Sequence, residues 1–350
     1  MNAILTIAIP TYNRAAKLQA QLERLLPQLT AETRCCVYDN ASTDATQMVV
    51  EKFQSPYLTC TSAPCNGGGG RNFLRCFEEC QTEWLWILSD DDVVSPTAVA
   101  DLLALLPPCQ ADFIHTSTHF GNYTADITIG EVAQLLTQAT GCSLLWIPAG
   151  IYRVPAFRPL MIVFADSLST WASHWIVVMG LLERQKKTVL LTRTNLVVSP
   201  AWSAPRWPSL DFIIRFSLAP EFLQSQKNQA LMAQCIYSQF YHWAMLLGLR
   251  EVHDRATVQR WQRIRHQSRR MLKAYGARSP VWDIIYTNQW HRAGNRITAL
   301  TAVHHALMIL ILSWCPAKLF LPVLKWLPKP RWGWELLNPK DSTASLVREL

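Results

Sequence analysis

Along the first hundred residues the hydrophobic pattern switches repeatedly between a strand period and a helix period. Residues 4–10 are a short apolar run rich in β-branched side chains, which predicts a strand, and Thr11-Tyr12-Asn13-Arg14 follows as a tight polar turn. Leu18, Leu22, Leu25, Leu26 and Leu29 then recur at helical spacing, with Lys17, Gln21 and Arg24 between them. Residues 34–38 predict a second strand, ending in Asp39-Asn40-Ala41-Ser42-Thr43-Asp44, with Ser42 as N-cap of a helix through Val49, Val50 and Phe53. Residues 57–61 predict a short third strand. Asn66-Gly67-Gly68-Gly69-Gly70-Arg71-Asn72 then opens a helix containing Phe73, Leu74 and Phe77. The fourth strand, Trp84-Leu85-Trp86-Ile87-Leu88, is apolar on both faces, as a buried strand requires, and breaks into Ser89-Asp90-Asp91-Asp92.

Strands alternating with helices predict an α/β fold: a Rossmann-like, mostly parallel sheet with right-handed crossovers and helices on both faces. The polar residues then gather at the carboxyl ends of successive strands, where open α/β sheets bind ligands. Three adjacent Asp residues repel one another and resist unpaired burial, so they too belong at the open end of their strand. Alone, that run reads equally as a solvated turn favouring a helix dipole; the three preceding polar loops favour a ligand cleft.

Further along, the pattern predicts a helix from Pro96-Thr97 through Leu106, stopped by Pro107-Pro108, and a strand at 112–116. Residues 121–150 look irregular, with one weakly patterned helix at 132–136. Residues 157–163 are apolar and leave their element type open. Asp166-Ser167-Leu168-Ser169 precedes a long apolar helix at 171–183, and residues 187–198 alternate as one strand. Past Pro200 the composition shifts. Trp202, Pro205, Trp207 and Pro208 make a rigid aromatic linker, and only helices are predicted beyond it, at about 211–222, 227–249 and 255–275. The organisation expected is an α/β domain over 1–200, a helical, basic and apolar region over 201–335, and a polar tail over 336–350.

Composition sharpens this picture. Of 350 residues, 50% are hydrophobic and 17% charged, apolar for a soluble enzyme but too polar for a polytopic membrane protein. The net charge of +8 favours acidic partners such as nucleotides, nucleic acid or anionic lipid. The ten Cys form no CxxC pair, which points to reduced thiols and a cytoplasmic setting rather than a disulfide framework or zinc site. The N-terminus reads directly into a strand rather than as a secretory leader. Residues 255–273 hold Arg255, Arg260, Arg263, Arg265, Arg269, Arg270 and Lys273 without an acidic residue, with Trp261, Ile264 and Met271 interleaved. Such a helix either lies on anionic lipid or is a solvated face. No RNA-binding motif accompanies the charge, so nucleic acid is not the expected partner. Residues 297–327 carry only Lys318 and Lys325 as charges, but His304, His305, Pro316 and Pro322 interrupt the run. This favours an interfacial or re-entrant hairpin, or a core helix pair, over a span. Trp314, Lys325 and Trp326 suit a headgroup region.

Four stretches carry a family resemblance: Leu5 to Arg14, Val37 to Asp44, Asn66 to Asn72, and Leu88-Ser89-Asp90-Asp91-Asp92 with Pro96 behind it. In order and spacing they resemble family 2 glycosyltransferases of the GT-A fold, over roughly the first hundred residues. The Ser-Asp-Asp-Asp form is most similar to bacterial enzymes related to abequosyltransferases, which decorate surface polysaccharides.

The resemblance implies a nucleotide-sugar donor, a saccharide or lipid-linked acceptor, an inverting transfer, and work at the inner face of the cytoplasmic membrane. It assigns donor binding to Pro10, Thr11, Tyr12, Asn13, Arg14, Asp39, Asn40, Ser42, Asn66, Gly69, Arg71 and Asp90. Pro10, Thr11 and Tyr12 line the base pocket, and Asp39 accepts a hydrogen bond from the base. Asn13 and Arg14 either contact the diphosphate or brace the loop. Alignment on Pro96 places Ser89 where the family usually has the first Asp of Asp-x-Asp, and Asp91 on the last, the metal-contacting one. Asp91 is thus the implied ligand of Mg2+ or Mn2+, Asp90 faces the sugar or ribose, and Asp92 supports them or starts the next helix.

These assignments make physical sense. Displacing a diphosphate builds negative charge that a carboxylate-held cation neutralises. An aromatic ring stacks on a base, and a carboxylate reads an imide N–H, which favours a pyrimidine. A glycine run at a helix start admits close backbone approach by an anion, with Arg71 adding charge. Walker A is excluded because no Gly-Lys-Ser/Thr follows, and the glycine spacing does not match a dinucleotide fingerprint. An inverting transfer also needs a general base. Asp166 is the best-placed carboxylate, His174 its rival and His115 a weaker option. Two other readings remain: a sugar nucleotidyltransferase, whose glycine loop would follow the first strand, and a degenerate carbohydrate- or membrane-binding protein.

Overall fold

The computed structural model describes residues 3–116, 124–138 and 146–198, together with 215–216, 218–233, 235–236, 262, 265–266, 269, 316 and 318–319. The chain divides into two units, Met1–Pro200 and Ala201–Leu350.

In the first unit, strand β1 (Leu5–Thr11) lies between β2 (Thr33–Asp39) and β4 (Trp84–Ile87), parallel to both, and β3 (Leu58–Ser62) runs parallel to β2. Helices α1 (Ala15–Leu25), α2 (Thr46–Lys52) and α3 (Gly69–Glu79) connect them. Beyond β5 (Val93–Val94) and α4 (Ala98–Leu105), β6 (Phe113–His115), β7 (Ile127–Ile129), β8 (Gly150–Arg153) and β9 (Val189–Leu191) extend the sheet, with helix α5 (Val132–Gln138) between β7 and β8. Its order is β3-β2-β1-β4-β8-β6-β9-β7. β8 runs antiparallel to both neighbours, so the α/β fold is built on a mixed sheet with a parallel half, β3 to β4.

Strand alternation explains the two layers. Leu5, Ile7, Ile9, Val37, Trp84 and Trp86 pack one face against Leu18, Leu22 and Leu25 of α1, Val49 of α2 and Leu102 of α4. The opposite layer is aromatic. Phe77 of α3 stacks edge-on to Tyr152, and Phe157 and Phe164 complete the cluster. The buried indole of Trp86 has a satisfied N–H, which donates to Pro148 O at 2.8 Å.

Several expectations change. Ser42 is not an N-cap: α2 starts at Thr46, and Asp44 ends the loop by accepting the Thr46 amide at 3.0 Å through Oδ1 and the Ala15 amide at 3.0 Å through Oδ2. The alternation over 187–198 resolves into β9 and β10 (Val197–Val198), the latter paired with β5 in a separate two-stranded sheet. The break is chemical, because Asp126 takes the Thr192 hydroxyl and the Arg193 amide and turns the chain away. The stretch 157–163 is helical, shared by Val154–Phe157, Arg158–Leu160 and Met161–Asp166. The long helix is Ser173–Gln185, buried without interruption from Ser173 to Leu182, and it starts after Trp171 rather than at it. The 121–150 region contains β7 and the first residue of β8, not α5 alone.

In the second unit, Ala219–Phe222 is a 3-10 turn and residues 226–233 are helical. Residues 215–216 and 235–236 are also helical. What remains of the expected 211–222 and 227–249 helices, nearly all of 255–275 and 297–327, the aromatic linker at 200–208 and the tail from 336 lie outside the described residues. Among the described residues no helix is long and apolar enough to cross a membrane.

Candidate active site at the carboxyl edge of the parallel strands

Register brings the strand ends together. Thr11 pairs with Asp39, and Asp39 with Ser62, so the loops after β1, β2 and β3 leave the sheet side by side. Leu88 continues the β4 pairing, its amide donating to Ala8 O at 2.8 Å, and delivers Ser89 to Asp92 to the same edge.

Side-chain hydrogen bonds tie these loops to one another. Asn13 sits in the left-handed region at φ 52, a conformation Asn tolerates. Its carboxamide Oδ1 accepts the Thr43 amide at 2.7 Å, and its own amide donates to Ser42 Oγ at 2.8 Å. Asn13 therefore braces the loop. Asp39 is buried and accepts the Ser42 amide at 3.1 Å and the Ser62 hydroxyl at 3.2 Å. Asn40 links to the third loop: its Nδ2 donates to Asn66 Oδ1 at 2.8 Å, and its Oδ1 accepts the Gly67 amide at 3.1 Å. Gly68 has φ 82, which only glycine adopts without strain, and it caps α3 with no side-chain hydrogen bond. The first-turn amides of α3 thus lack a side-chain cap.

The three consecutive carboxylates occupy three environments. Asp90 is buried, accepts the Thr11 hydroxyl at 2.8 Å and pairs with Arg14 Nε at 3.1 Å. Burial raises its pKa, against the pull of Arg14 and Thr11. Asp91 is the accessible one, its side chain 40% exposed. Its Oδ1 accepts the Ser89 hydroxyl at 2.6 Å, and its Oδ2 meets both Arg14 Nη2 and Lys17 Nζ, the latter at 2.9 Å. Partial burial pushes Asp91 upward, but the bonds from Ser89 and Lys17 and the Arg14 charge override it and hold the carboxyl at about 2. Asp92 is buried, with Trp146 Nε1 3.4 Å away; burial, then the Asp91 and Asp90 charges, raise it to about 6. Arg14 and Lys17 thus pair with Asp90 and Asp91, and Asp91 is the most exposed carboxylate of the three. Among the described residues no three His, Cys, Asp or Glu side chains converge as a ready-made metal cage. The donor set fits a divalent cation that takes one or two carboxylates and fills its shell with ligand oxygens or water.

Tyr12 stands 40% exposed beside this network, while Thr11 is buried under it. Pro10 is half-buried. Gly69 opens α3 with open space around its Cα, room for a ligand to approach. Arg71 is turned along α3 to Glu78 at 2.8 Å instead of toward the aspartates. That pair is half exposed on both sides and easily broken. Asp166 is exposed and ends the Met161–Asp166 helix rather than introducing the long one. Among the described residues no hydrogen bond or ion pair joins it to the Asp90–Asp92 network. Two residues on, Leu168 closes on Gly70 of α3 so tightly that a Cβ there would meet Leu168 Cδ2 at 3.0 Å. His115 and His174 are both buried.

Two participants escape a pattern-based reading. Lys17 and Gln21 occupy polar positions of an amphipathic helix, which predicts solvent. Instead Lys17 reaches Asp91, and the fully buried Gln21 donates to Ser89 O at 3.2 Å.

Comparison with known proteins agrees with this geometry. Residues 6–126 match the model of glycosyl transferase family 2. The abequosyltransferase RfbV of Salmonella typhimurium is 30% identical over 114 residues, 31% of this chain and 34% of that protein. An uncharacterized glycosyltransferase of Haemophilus influenzae is 28% identical over 103 residues, 29% of this chain and 34% of that one. The matches thus span about a third of each curated relative. Residues 1–349 of S. aureus TarS superpose with a TM-score of 0.60 at 15% identity, covering 89% of both chains. The same fragment bound to UDP-GlcNAc gives 0.60 at 14%, again covering 89% of both. At such identity the likeness is one of fold. Over residues 6–126, then, the chain is similar to glycosyl transferase family 2, and its fold is the one seen in TarS.

Proposed function

We propose that this protein is a glycosyltransferase that moves a sugar from a nucleoside-diphosphate donor to a saccharide or lipid-linked saccharide in cell-envelope polysaccharide synthesis. One observation carries the reading: the loops after β1, β2, β3 and β4 leave one sheet edge and are cross-bonded through Asn13, Asn40 and Arg14. The family 2 match over residues 6–126 and the RfbV match support the reaction class, and the UDP-GlcNAc complex of TarS supports the donor class.

In this reading Tyr12 stacks on a pyrimidine base above Pro10 and Thr11, and Asp39 receives the base N–H. Because Asp39 already accepts two donors from its own loops, its position is fixed before the donor arrives. Asn13, Asn40, Ser42 and Asn66 hold the loops in register. Gly69 and the α3 amides approach the diphosphate, and Arg71 exchanges Glu78 for it. Asp91, oriented by Ser89, is the carboxylate that would hold Mg2+ or Mn2+, which would supply neutralisation of the charge growing on the leaving diphosphate. Asp90, locked by Thr11 and Arg14, faces the sugar or ribose. Asp166 takes the proton from the acceptor hydroxyl in an inverting displacement. Its exposure favours it over His115 and His174.

Thermal-shift screening of nucleotide sugars with Mn2+ tests the donor class. UDP-, CDP- or dTDP-sugars are expected to stabilise the protein in a Mn2+-dependent way, whereas stabilisation by purine donors alone would contradict the base assignment.

A further inference from the structure

Lys17 lies in the first turn of α1, distant in sequence from Asp91, yet it shares Asp91 Oδ2 with Arg14 while Ser89 occupies Oδ1. A carboxylate oxygen offers about two acceptor directions, so this one is filled. Anything that binds Asp91 through Oδ2 must first displace a cation. The two cations are not equally held. Arg14 is also anchored by Nε to the buried Asp90 at 3.1 Å, whereas Lys17 has Asp91 as its ion-pair partner and is 46% exposed. Lysine is a compact charge on a flexible stem, suited to changing partner. The first turn of α1 contains no acidic residue to receive it, and the helix N-terminus itself favours an anion.

We propose that Lys17, with Arg14, forms a cationic latch that occupies Asp91 in the donor-free protein and transfers to the donor's diphosphate when the metal takes the carboxylate. Lys17 is thereby a diphosphate-binding residue. A bare dication entering alone would face two displaced positive charges a few ångströms away. A dication arriving with a diphosphate brings the anion those charges need, so metal and nucleotide bind as a pair. The inference rests on the donor reading above, and the experiment separates the two.

The test is Mn2+ binding followed by electron paramagnetic resonance in wild type, Lys17→Met and Lys17→Arg, alone and with UDP, CDP or dTDP, with circular dichroism to confirm folding. In Lys17→Met, Mn2+ alone is expected to bind about 2- to 5-fold tighter, the effect of removing one exposed competing ion pair. The best diphosphate in saturating Mn2+ is expected to bind about 2- to 5-fold weaker, and Lys17→Arg to restore both. Opposite signs are the signature, because general damage to the site weakens both. Mn2+ affinity that is unchanged or weaker in Lys17→Met overturns the competition, and unchanged diphosphate affinity overturns the transfer. Wild type that binds Mn2+ but no diphosphate overturns the donor reading and the transfer with it, and the Mn2+ arm still decides whether Lys17 guards Asp91.

Discussion

Asp92 is buried beside two other carboxylates, and its proton affinity reflects that cost. Its folded pKa of about 6 lies above the ordinary 3.8, so between these values the folded protein binds the proton more tightly than the unfolded chain. Stability therefore falls as pH rises through that window and stays reduced above it. Asp92→Asn removes the charge and keeps an oxygen for Trp146 Nε1. In metal-free buffer with chelator it is expected to stabilise the protein at pH 7 by roughly 1–3 kcal/mol, with no gain below pH about 4, by thermal melts at both pH values. A loss at pH 7 with none below pH about 4 would mean that the ionised carboxylate holds the loop together. At this scale the sequence shows the Ser89–Asp92 run and its place at a strand end, but not the division of labour within it. Which Asp is buried depends on Thr11, Arg14, Lys17 and Trp146, all more than fifty residues away. Lys17 and Gln21 were hidden for the same reason: helical periodicity separates apolar from polar positions but does not say what faces the polar ones.

The glycine-rich loop behaves as an element with two distinct demands. Gly68 carries the positive φ, while Gly69 has ordinary backbone and open space. Gly68→Ala is expected to cost about 1–3 kcal/mol. Gly69→Ala should melt at or slightly above the wild-type temperature yet weaken donor binding, because its methyl group fills the space assigned to the diphosphate. A Gly69→Ala protein with unaltered nucleotide affinity would remove that residue from the site. Elements with full periodicity were legible: β1, β2 and β4 lie within a residue of their expected ends, while α1 closes at Leu25 with a 3-10 turn over Leu26–Gln28 in place of its expected last turn, and the opening glycines of α3 carry no pattern. Short elements were legible only in part: β6 was expected and β9 was run together with β10, whereas β7 and β8 are three or four residues long, below the length at which alternation declares itself, and β8 begins at a glycine. Ser42 looked like a cap by residue type, but the fold gives its hydroxyl to Asn13 and the turn to Asp44.

At the scale of the whole molecule, an acidic, readily accessible site is joined to a chain of net charge +8. The excess of Arg over 255–273 and the low charge of 297–327 support peripheral contact with an anionic membrane, where a lipid-linked acceptor would be met. Full-length protein is then expected to sediment with vesicles containing anionic lipid at low ionic strength and to be released by salt, since exposed charges are screened within about 10 Å at 0.1 M. Indifference to lipid charge would argue for a soluble acceptor. The central claim, that the Asp91 edge of the sheet transfers sugar from a nucleotide donor, is tested most directly by nucleoside diphosphate release from pyrimidine nucleotide sugars with Mn2+, in wild type and Asp91→Ala. The account predicts Mn2+-dependent release by wild type, reduced about 100-fold or more in a folded Asp91→Ala protein, as loss of several kcal/mol of charge stabilisation requires. Release that is equal in the two proteins, or absent from wild type across the donor panel, would contradict it.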